Sequence, residues 1–503
     1  MPASIPGWVT DAVFYQIFPD RFARSTRLAK PDTLEAWGSP PTVFGFQGGD
    51  LFGVTEHLDY VADLGISALY LNPIFSSAAN HRYHTYDYFA VDPLLGGTPA
   101  FRELLDQAHA RDIRVVLDGV FHHAGRGLWQ FHHTLENGAA SPYVDWFHFD
   151  PDRLTGKRHF AAYPDPTARK ALRRGVGSRE ALGYQAWWDL PALPKFNTDT
   201  PAVREFLWRV ASHWIEFGID GWRLDVAAEI KDQTFWQEFR QRVKARNPEA
   251  YLVGEIWHEA QPWLQGDQFD AVTNYPLTAA CLGFFGGEQL DLSQVRQPLG
   301  FRQVGCLDCQ AFADRIDALL GLYEPAVTSA QLNLLDSHDT ARFLTSVNGD
   351  QTALRLAWLF VCTMPGAPCL YYGDEIGLRG GPDPDCRKAF AWEPDVWDHG
   401  LREYVKDCIA LRRRFSALRH GSFARRYAAD GVYMFQRSLE SESLVVALNV
   451  AGQTRRLDVS FLEADGQVAA WQVVWGDRAG LSLDGGRRTV AIAPRSALVL
   501  RLA

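Results

Sequence analysis

The chain has 503 residues, 50 of them basic and 60 acidic, which leaves a formal charge of −10 at pH 7. That mildly acidic balance argues against a nucleic-acid or polybasic membrane partner and keeps catalysis on a neutral or polar small substrate open. A hydrophobic fraction of 47% with 22% charged residues excludes extensive disorder.

Aromatic residues make up 13% of the chain, and their flat apolar faces suit sugar rings as well as cores. The 7 cysteines are few and odd in number, so they read as free thiols of a reducing compartment rather than a disulfide framework. Cys306 and Cys309 have CxxC spacing, but no second pair follows at zinc-site spacing. The start, MPASIPGWVTDAVFYQIF, has no basic segment followed by an apolar one, and no apolar run approaches the ~18 residues of a membrane span. A cytoplasmic location without membrane association is the expectation.

In chain order, short apolar runs that end in polar or acidic residues alternate with amphipathic helical stretches. The runs at 13–17 (VFYQI), 68–71 (ALYL), 114–118 (RVVLD), 219–225 (IDGWRLD), 251–255 (YLVGE), 270–273 (DAVT), 331–336 (QLNLLD) and 368–372 (PCLYY) predict eight strands, as in a closed parallel barrel. Between them, helices are predicted at 99–111, with Thr98 as N-cap, at 201–217, with Pro in the first turn, and at 232–246. The connection 122–198 is too long to be only a helix. Its aromatic, His, Gly and Pro content predicts a small subdomain overhanging one end of the barrel. Within it, Arg169, Lys170, Arg173, Arg174 and Arg179 read as a solvated helical face. After a helix at 401–415, alternating strands at 431–437, 443–450, 468–475 and 488–493 predict an all-β sandwich. The expected fold class is α/β: a (β/α)8 TIM barrel from 1–121 and 199–420, a subdomain at 122–198 inserted after strand 3, and a C-terminal all-β sandwich domain at 421–503.

In such a barrel, chemistry belongs at the C-terminal ends of the strands. Acids that follow apolar strand runs are Asp118, Asp225, Glu255 and Asp339, in the company of His122 and His123, Arg223, Trp257 and His258, and His338. Residues two apart on a strand share a face, so Arg223 and Asp225 point together into the barrel mouth, where the arginine would hold Asp225 ionised. Converging carboxylates serve either divalent-metal chemistry or glycosidic-bond cleavage. No GxxxxGK[ST] or HExxH motif supports the first. The second needs one ionised carboxylate and one held protonated, and Glu255, between an apolar strand and Ile256-Trp257, has surroundings that would raise its pKa.

At these residues the sequence resembles the α-amylase family of glycoside hydrolases, in its cyclomaltodextrinase, neopullulanase and maltogenic amylase group. DGVFHHAG (118–125), GWRLDVAAEI (221–230), VGEIWHEA (253–260) and LLDSHDT (334–340) resemble the family's four conserved regions in order. LPKFN (193–197) and YYGDEIGL with GPDPDCR (371–387) are similar to segments that mark the group. The resemblance implies that Asp225 is the nucleophile, Glu255 the acid and then base, and Asp339 a stabiliser of the transition state. It further implies that His123, Arg223 and His338 hydrogen-bond the sugar at the cleaved end, that Tyr83 stacks on it, that Asp383 and Arg387 contact the next sugar on the non-reducing side, and that Trp257 shapes the acceptor side.

There are departures. His122 stands where the family has Asn, and His84 where it has Asp. The loop FARSTRLAKP (22–31) lacks the Asn and Asp residues that hold calcium in relatives, leaving Gly49 and Asp50 of that set. No calcium is expected there, and the hydrolysis needs no cofactor. The N-terminal β-domain of the group is not expected in this chain, because the first barrel strand is predicted from residue 13; the oligomeric state is left open, a monomer included.

The activity implied is a retaining α-glycoside hydrolase cleaving α-1,4 bonds of malto-oligosaccharides, cyclodextrins, pullulan or starch, with transglycosylation when a sugar hydroxyl intercepts the intermediate. The alternatives are an exo-acting α-glucosidase, a 4-α-glucanotransferase, or a catalytically silent glycan-binding scaffold.

Overall fold

The computed structural model describes residues 5–296, 301, 303–460, 471–476, 481–484 and 487–502. Eight parallel strands form its centre: β1 (Phe14–Ile17), β2 (Ala68–Leu71), β3 (Arg114–Gly119), β4 (Gly221–Leu224), β5 (Tyr251–Gly254), β6 (Ala271–Val272), β7 (Leu332–Leu334) and β8 (Ala367–Tyr371). Each lies within or beside one of the eight predicted runs. They are buried along almost their whole length. Strands covered on both faces need continuous apolar sequence, which is why the runs were legible.

Hydrogen bonding runs in the order β6-β5-β4-β3-β2-β1-β8-β7, and a parallel bridge from Thr273 to Leu332 closes the ring. The chain is thus a TIM barrel with a C-terminal antiparallel module. No described helix is long and apolar enough to cross a membrane.

The helices Pro201–Phe217 and Gln233–Arg246 occupy the predicted stretches, and Asp232 caps the second by accepting from Thr234 N. The helix predicted from 99 instead spans Gly97–His109, so Thr98 lies inside its first turn and is not the cap. A short 3-10 turn, Pro93–Leu95, precedes it, and Gly96 at φ 98° swings the chain from one into the other. A Cβ at Gly96 would meet Ala100 Cβ at 2.6 Å, so the turn depends on glycine and moves the helix start upstream.

Between β3 and β4 the chain makes a long excursion over the barrel mouth. It contains helices Trp129–Asn137, Pro166–Arg173 and Ser178–Leu182 and isolated bridges such as His123 to Lys195 and Phe147 to Phe196. Phe131, Phe147, Phe149 and Tyr184 pack together at its centre. The five basic residues at 169–179 are exposed.

The last part holds two antiparallel sheets. One has the order β9 (Ser422–Ala429), β10 (Val432–Leu439), β11 (Glu442–Asn449), β16 (Ser496–Leu502), β13 (Trp471–Trp475); the other pairs β12 (Arg455–Asp458), β15 (Arg487–Ile492) and β14 (Leu481–Asp484). Strands β9, β12, β14 and β16 were not predicted, and residues 468–470 of the predicted strand 468–475 lie outside the described residues. Alternation along β10 and β11 serves two cores. Val432, Met434, Val445 and Ala447 face a core shared with Val490 and Ile492 of the second sheet. Tyr433, Phe435, Leu444 and Val446 join the core of the barrel.

Two buried arginines stand at this junction. Arg412 donates to the carbonyls of Thr10, Cys362, Met364, Gly366 and Leu418. Arg437 donates to those of Thr363, Leu418, Gly421 and Ser422. Several of these carbonyls end helices Gln351–Thr363 and Ser416–His420, where the peptide dipoles favour a cation. Burial still pulls the guanidinium of Arg412 down to about 10 and that of Arg437 to about 9.

Candidate active site

The acids singled out in the sequence emerge at the C-terminal ends of neighbouring strands. Asp118 is the penultimate residue of β3, Asp225 is one residue past β4, Glu255 one past β5, and Asp339 in the loop after β7. The cleft at this end, of about 360 Å³, is lined by Asp225, Glu255 and Asp339 together with Tyr83, His123 and Trp257.

Arg223, on β4 and 1% exposed, organises the floor. Its Nη1 donates to Asp118 Oδ1 at 2.9 Å and to Asp225 Oδ1 at 2.9 Å, and its Nη2 lies 2.8 Å from Glu255 Oε1. Asp118 also accepts from Tyr70 Oη at 2.7 Å and Tyr83 Oη at 2.8 Å. Besides Asp225, Arg223 thus reaches Asp118 and Glu255, because strands β3, β4 and β5 are adjacent.

Burial raises the carboxyl groups of Asp118, Asp225 and Glu255, and Arg223 opposes the rise in each. Asp225 is pushed up further by the charge of Glu255. Glu255 accepts from Val226 N at 2.8 Å and from Trp257 Nε1 at 3.2 Å and forms an ion pair with Arg223. Asp225 accepts from Arg223 alone among the described side-chain hydrogen bonds. Burial thus raises Glu255, as its apolar surroundings imply, and raises Asp225 as well, although Arg223 lies beside it. Val226, whose N–H serves Glu255, has φ 40° and ψ 42°, a strained conformation for a β-branched residue and typical of functional sites.

Tyr83 stands parallel to His338, with centroids 5.5 Å apart, and meets its Nε2 at 2.6 Å. The other ring nitrogen of His338 is 2.8 Å from Gln16 Nε2, so both nitrogens have protein partners and the ring lies behind Tyr83. Burial keeps His123 neutral by lowering it to about 3, and its Nε2 has no hydrogen-bond partner among the described residues. Arg387 pairs with Asp339 at 3.2 Å and with Asp383 at 3.0 Å, extending a polar wall away from the acids. Trp257 stacks on Tyr275 at 3.5 Å, which fixes the indole beside Glu255.

Sequence reasoning missed Trp187 and Trp188, which line the cleft. Their rings stack at 5.0 Å, and Trp187 lies parallel to His123 at 6.3 Å. Trp188 and Asp189 both have positive φ, 51° and 56°, and Trp188 remains 53% exposed. Paired indoles a few residues ahead of LPKFN were the available signal.

The calcium implied by the resemblance does not fit this chain. Asp50 Oδ1 accepts from Gly53 N at 2.8 Å, while Oδ2 accepts from Ser25 N at 3.0 Å and pairs with the Lys30 ammonium at 2.7 Å. A lysine nitrogen already neutralises the carboxylate. Among the described residues, no group of three His, Cys, Asp or Glu could hold a metal ion.

Comparison with known proteins agrees with this geometry. The family described as alpha-amylase, catalytic domain, matches residues 16–408. A cyclomaltodextrinase of Geobacillus thermopakistaniensis (strain MAS1) is 44% identical over 456 residues, 90% of this chain and 71% of its own length. The crystal structure of Ttha1563 from Thermus thermophilus superposes with a TM-score of 0.89 at 46% identity, covering 99% of this chain and 100% of that one. The debranching enzyme of Nostoc punctiforme, native form, gives a TM-score of 0.88 at 43% identity with the same coverage.

Proposed function

Because the chain belongs to the α-amylase family of glycoside hydrolases, we propose that it cleaves α-1,4 bonds of malto-oligosaccharides and related glucans with retention, using Asp225 and Glu255 as its two carboxylates. The observation that carries this reading is the single guanidinium of Arg223 shared by both acids in a cleft that also takes in Asp339.

In the proposed reaction, sugar hydroxyls supply Asp225 with the donors it lacks, and the glycosidic oxygen presents Glu255 with an acceptor. Glu255 carries the proton and Asp225 is ionised. Asp225 attacks the anomeric carbon, the bond to the leaving oxygen breaks, and Glu255 passes its proton to that oxygen. Water follows, deprotonated by Glu255, and releases the sugar from Asp225 with its original configuration. A sugar hydroxyl in place of water gives transfer. Asp339, held by Arg387, adds negative charge near the oxocarbenium-like carbon, stabilising the transition state more than the ground state.

Run on maltoheptaose, β-cyclodextrin, starch and pullulan, the enzyme is expected to release short malto-oligosaccharides in the α-configuration, and panose from pullulan. A second reading, α-1,6 cleavage, draws on the Nostoc punctiforme debranching enzyme, which this chain matches end to end. It would give maltotriose from pullulan instead. Release of β-anomers would overturn the retaining assignment. A cytoplasmic location belongs to the same proposal and is supported by the seven unpaired cysteines.

A further inference from the structure

Phe44 is 88% exposed and Val43 beside it 59%, yet the loop that carries them is tightly held. The Asn80 amide, itself buried, donates to the carbonyls of Val43 at 3.2 Å and Gly45 at 2.8 Å. Arg21 Nη2 donates to Gly45 O at 2.7 Å. Thr42 Oγ1 accepts from Gly45 N at 2.9 Å and donates to Glu35, whose own backbone N–H reaches Phe46 O. A Cβ on Gly45 would meet the Glu35 carboxylate, so the Glu35 side chain packs directly against this turn. A loop bound this closely fixes its tip in one place, and what the tip offers to water is an apolar ring.

The anchors belong to the cleft. Asn80 is three residues ahead of Tyr83, which lines it. The Phe18 ring has the Arg21 guanidinium 6.0 Å from its centroid and that of Arg387 5.5 Å from it, and Arg387 holds Asp383 and Asp339. Through Arg21 and the Phe18 ring, the loop that carries the tip is thus linked to Arg387 and its carboxylate partners.

We propose that Phe44, presented by the 42–45 turn, is a sugar-stacking platform for a glucose unit of the bound α-glucan beyond the Asp383–Arg387 end of the cleft. This rests on the α-glucan reading above and adds a contact that only long chains reach. An aromatic face under a sugar ring removes apolar C–H surface from water, while the ring hydroxyls stay solvated.

The test compares wild type, Phe44→Ala and Phe44→Tyr on maltotriose and maltoheptaose. Phe44→Ala is expected to lose about tenfold in kcat/KM on maltoheptaose through KM, equivalent to ~1.4 kcal/mol, and nothing on maltotriose; Phe44→Tyr, which keeps the ring, is expected to retain both. Equal losses on the two substrates, or none on either, overturn the platform while maltotriose turnover by wild type upholds the enzyme. Absence of wild-type turnover on both substrates overturns the α-glucan reading and this inference with it. A change in sedimentation for Phe44→Ala without any chain-length effect assigns the ring to contact between copies of the chain, and so also overturns the proposal.

Discussion

Replacing Arg223 by Lys keeps one positive charge on the floor of the cleft and removes its fork. In the native site, two nitrogens serve three carboxylates at 2.8–2.9 Å, two of them through Nη1 and one through Nη2. An ammonium is a single nitrogen and cannot occupy both positions, so at least one charge-assisted hydrogen bond is lost, at about 1.5–3 kcal/mol. If that loss falls on the transition state, kcat/KM drops by roughly 10- to 150-fold at ~1.36 kcal/mol per decade.

The pH profile gives a second reading with a definite sign. Arg223 lowers the carboxyl groups of both Asp225 and Glu255, so weakening it lets both rise. Asp225 must be ionised to attack, and the acid limb moves to higher pH. Glu255 must be protonated to donate, and the alkaline limb moves the same way. Initial rates on maltoheptaose across the pH range measure both limbs. A variant within about twofold of wild type, or a profile displaced to lower pH, would refute the shared-guanidinium argument.

Asp225→Asn and Glu255→Gln are each expected to lower kcat by about 10⁴-fold or more, measured by reducing-sugar release; near-normal turnover removes the assignment. Because burial raises the Asp225 carboxyl in the folded state, the folded enzyme binds that proton more tightly than the unfolded chain. Its stability then falls as pH rises from the unfolded toward the folded value. Asp225→Asn should accordingly melt no lower than wild type at about pH 8, and a clear drop there contradicts the raised carboxyl. A chelator should leave melting temperature and activity unchanged, whereas Lys30→Ala, which strips Asp50 of its ion pair, should cost about 1–3 kcal/mol by thermal denaturation; a melting shift with EDTA argues for a metal instead. Trp188→Asn, better suited to positive φ, should hold or raise stability by roughly 1 kcal/mol in thermal denaturation, and a clear loss of stability contradicts the strain read at Trp188.

The barrel could be read because strands buried on both faces carry uninterrupted apolar residues, and the acids could be read because each follows such a run. Pair partners within the site could not. That Arg223 lies two before Asp225 shows in the sequence; that it also reaches Glu255 depends on the lateral adjacency of β4 and β5. The ends of local elements were lost to backbone conformation, as at Gly96, where a left-handed turn overrides the capping preference of Thr98. Strand β9 escaped notice because its residues are exposed or half-buried along their length, leaving no alternation to detect. Phe44 was invisible for a related reason: an exposed aromatic residue in a loop has the composition of any other until its backbone and its neighbours are known.

Arg437 makes the C-terminal sheets a poor candidate for truncation. Its guanidinium is ringed by peptide oxygens, much as a crown ether rings a cation, and they come from Thr363 and Leu418 as well as from Gly421 and Ser422. Pulling the sheets away would break that ring and take from the Thr363 carbonyl the guanidinium that donates to it at 2.7 Å. The barrel and its appendage are therefore wired to melt together, and a shortened chain would inherit a defect near β8, at the opposite end of the barrel from the chemistry.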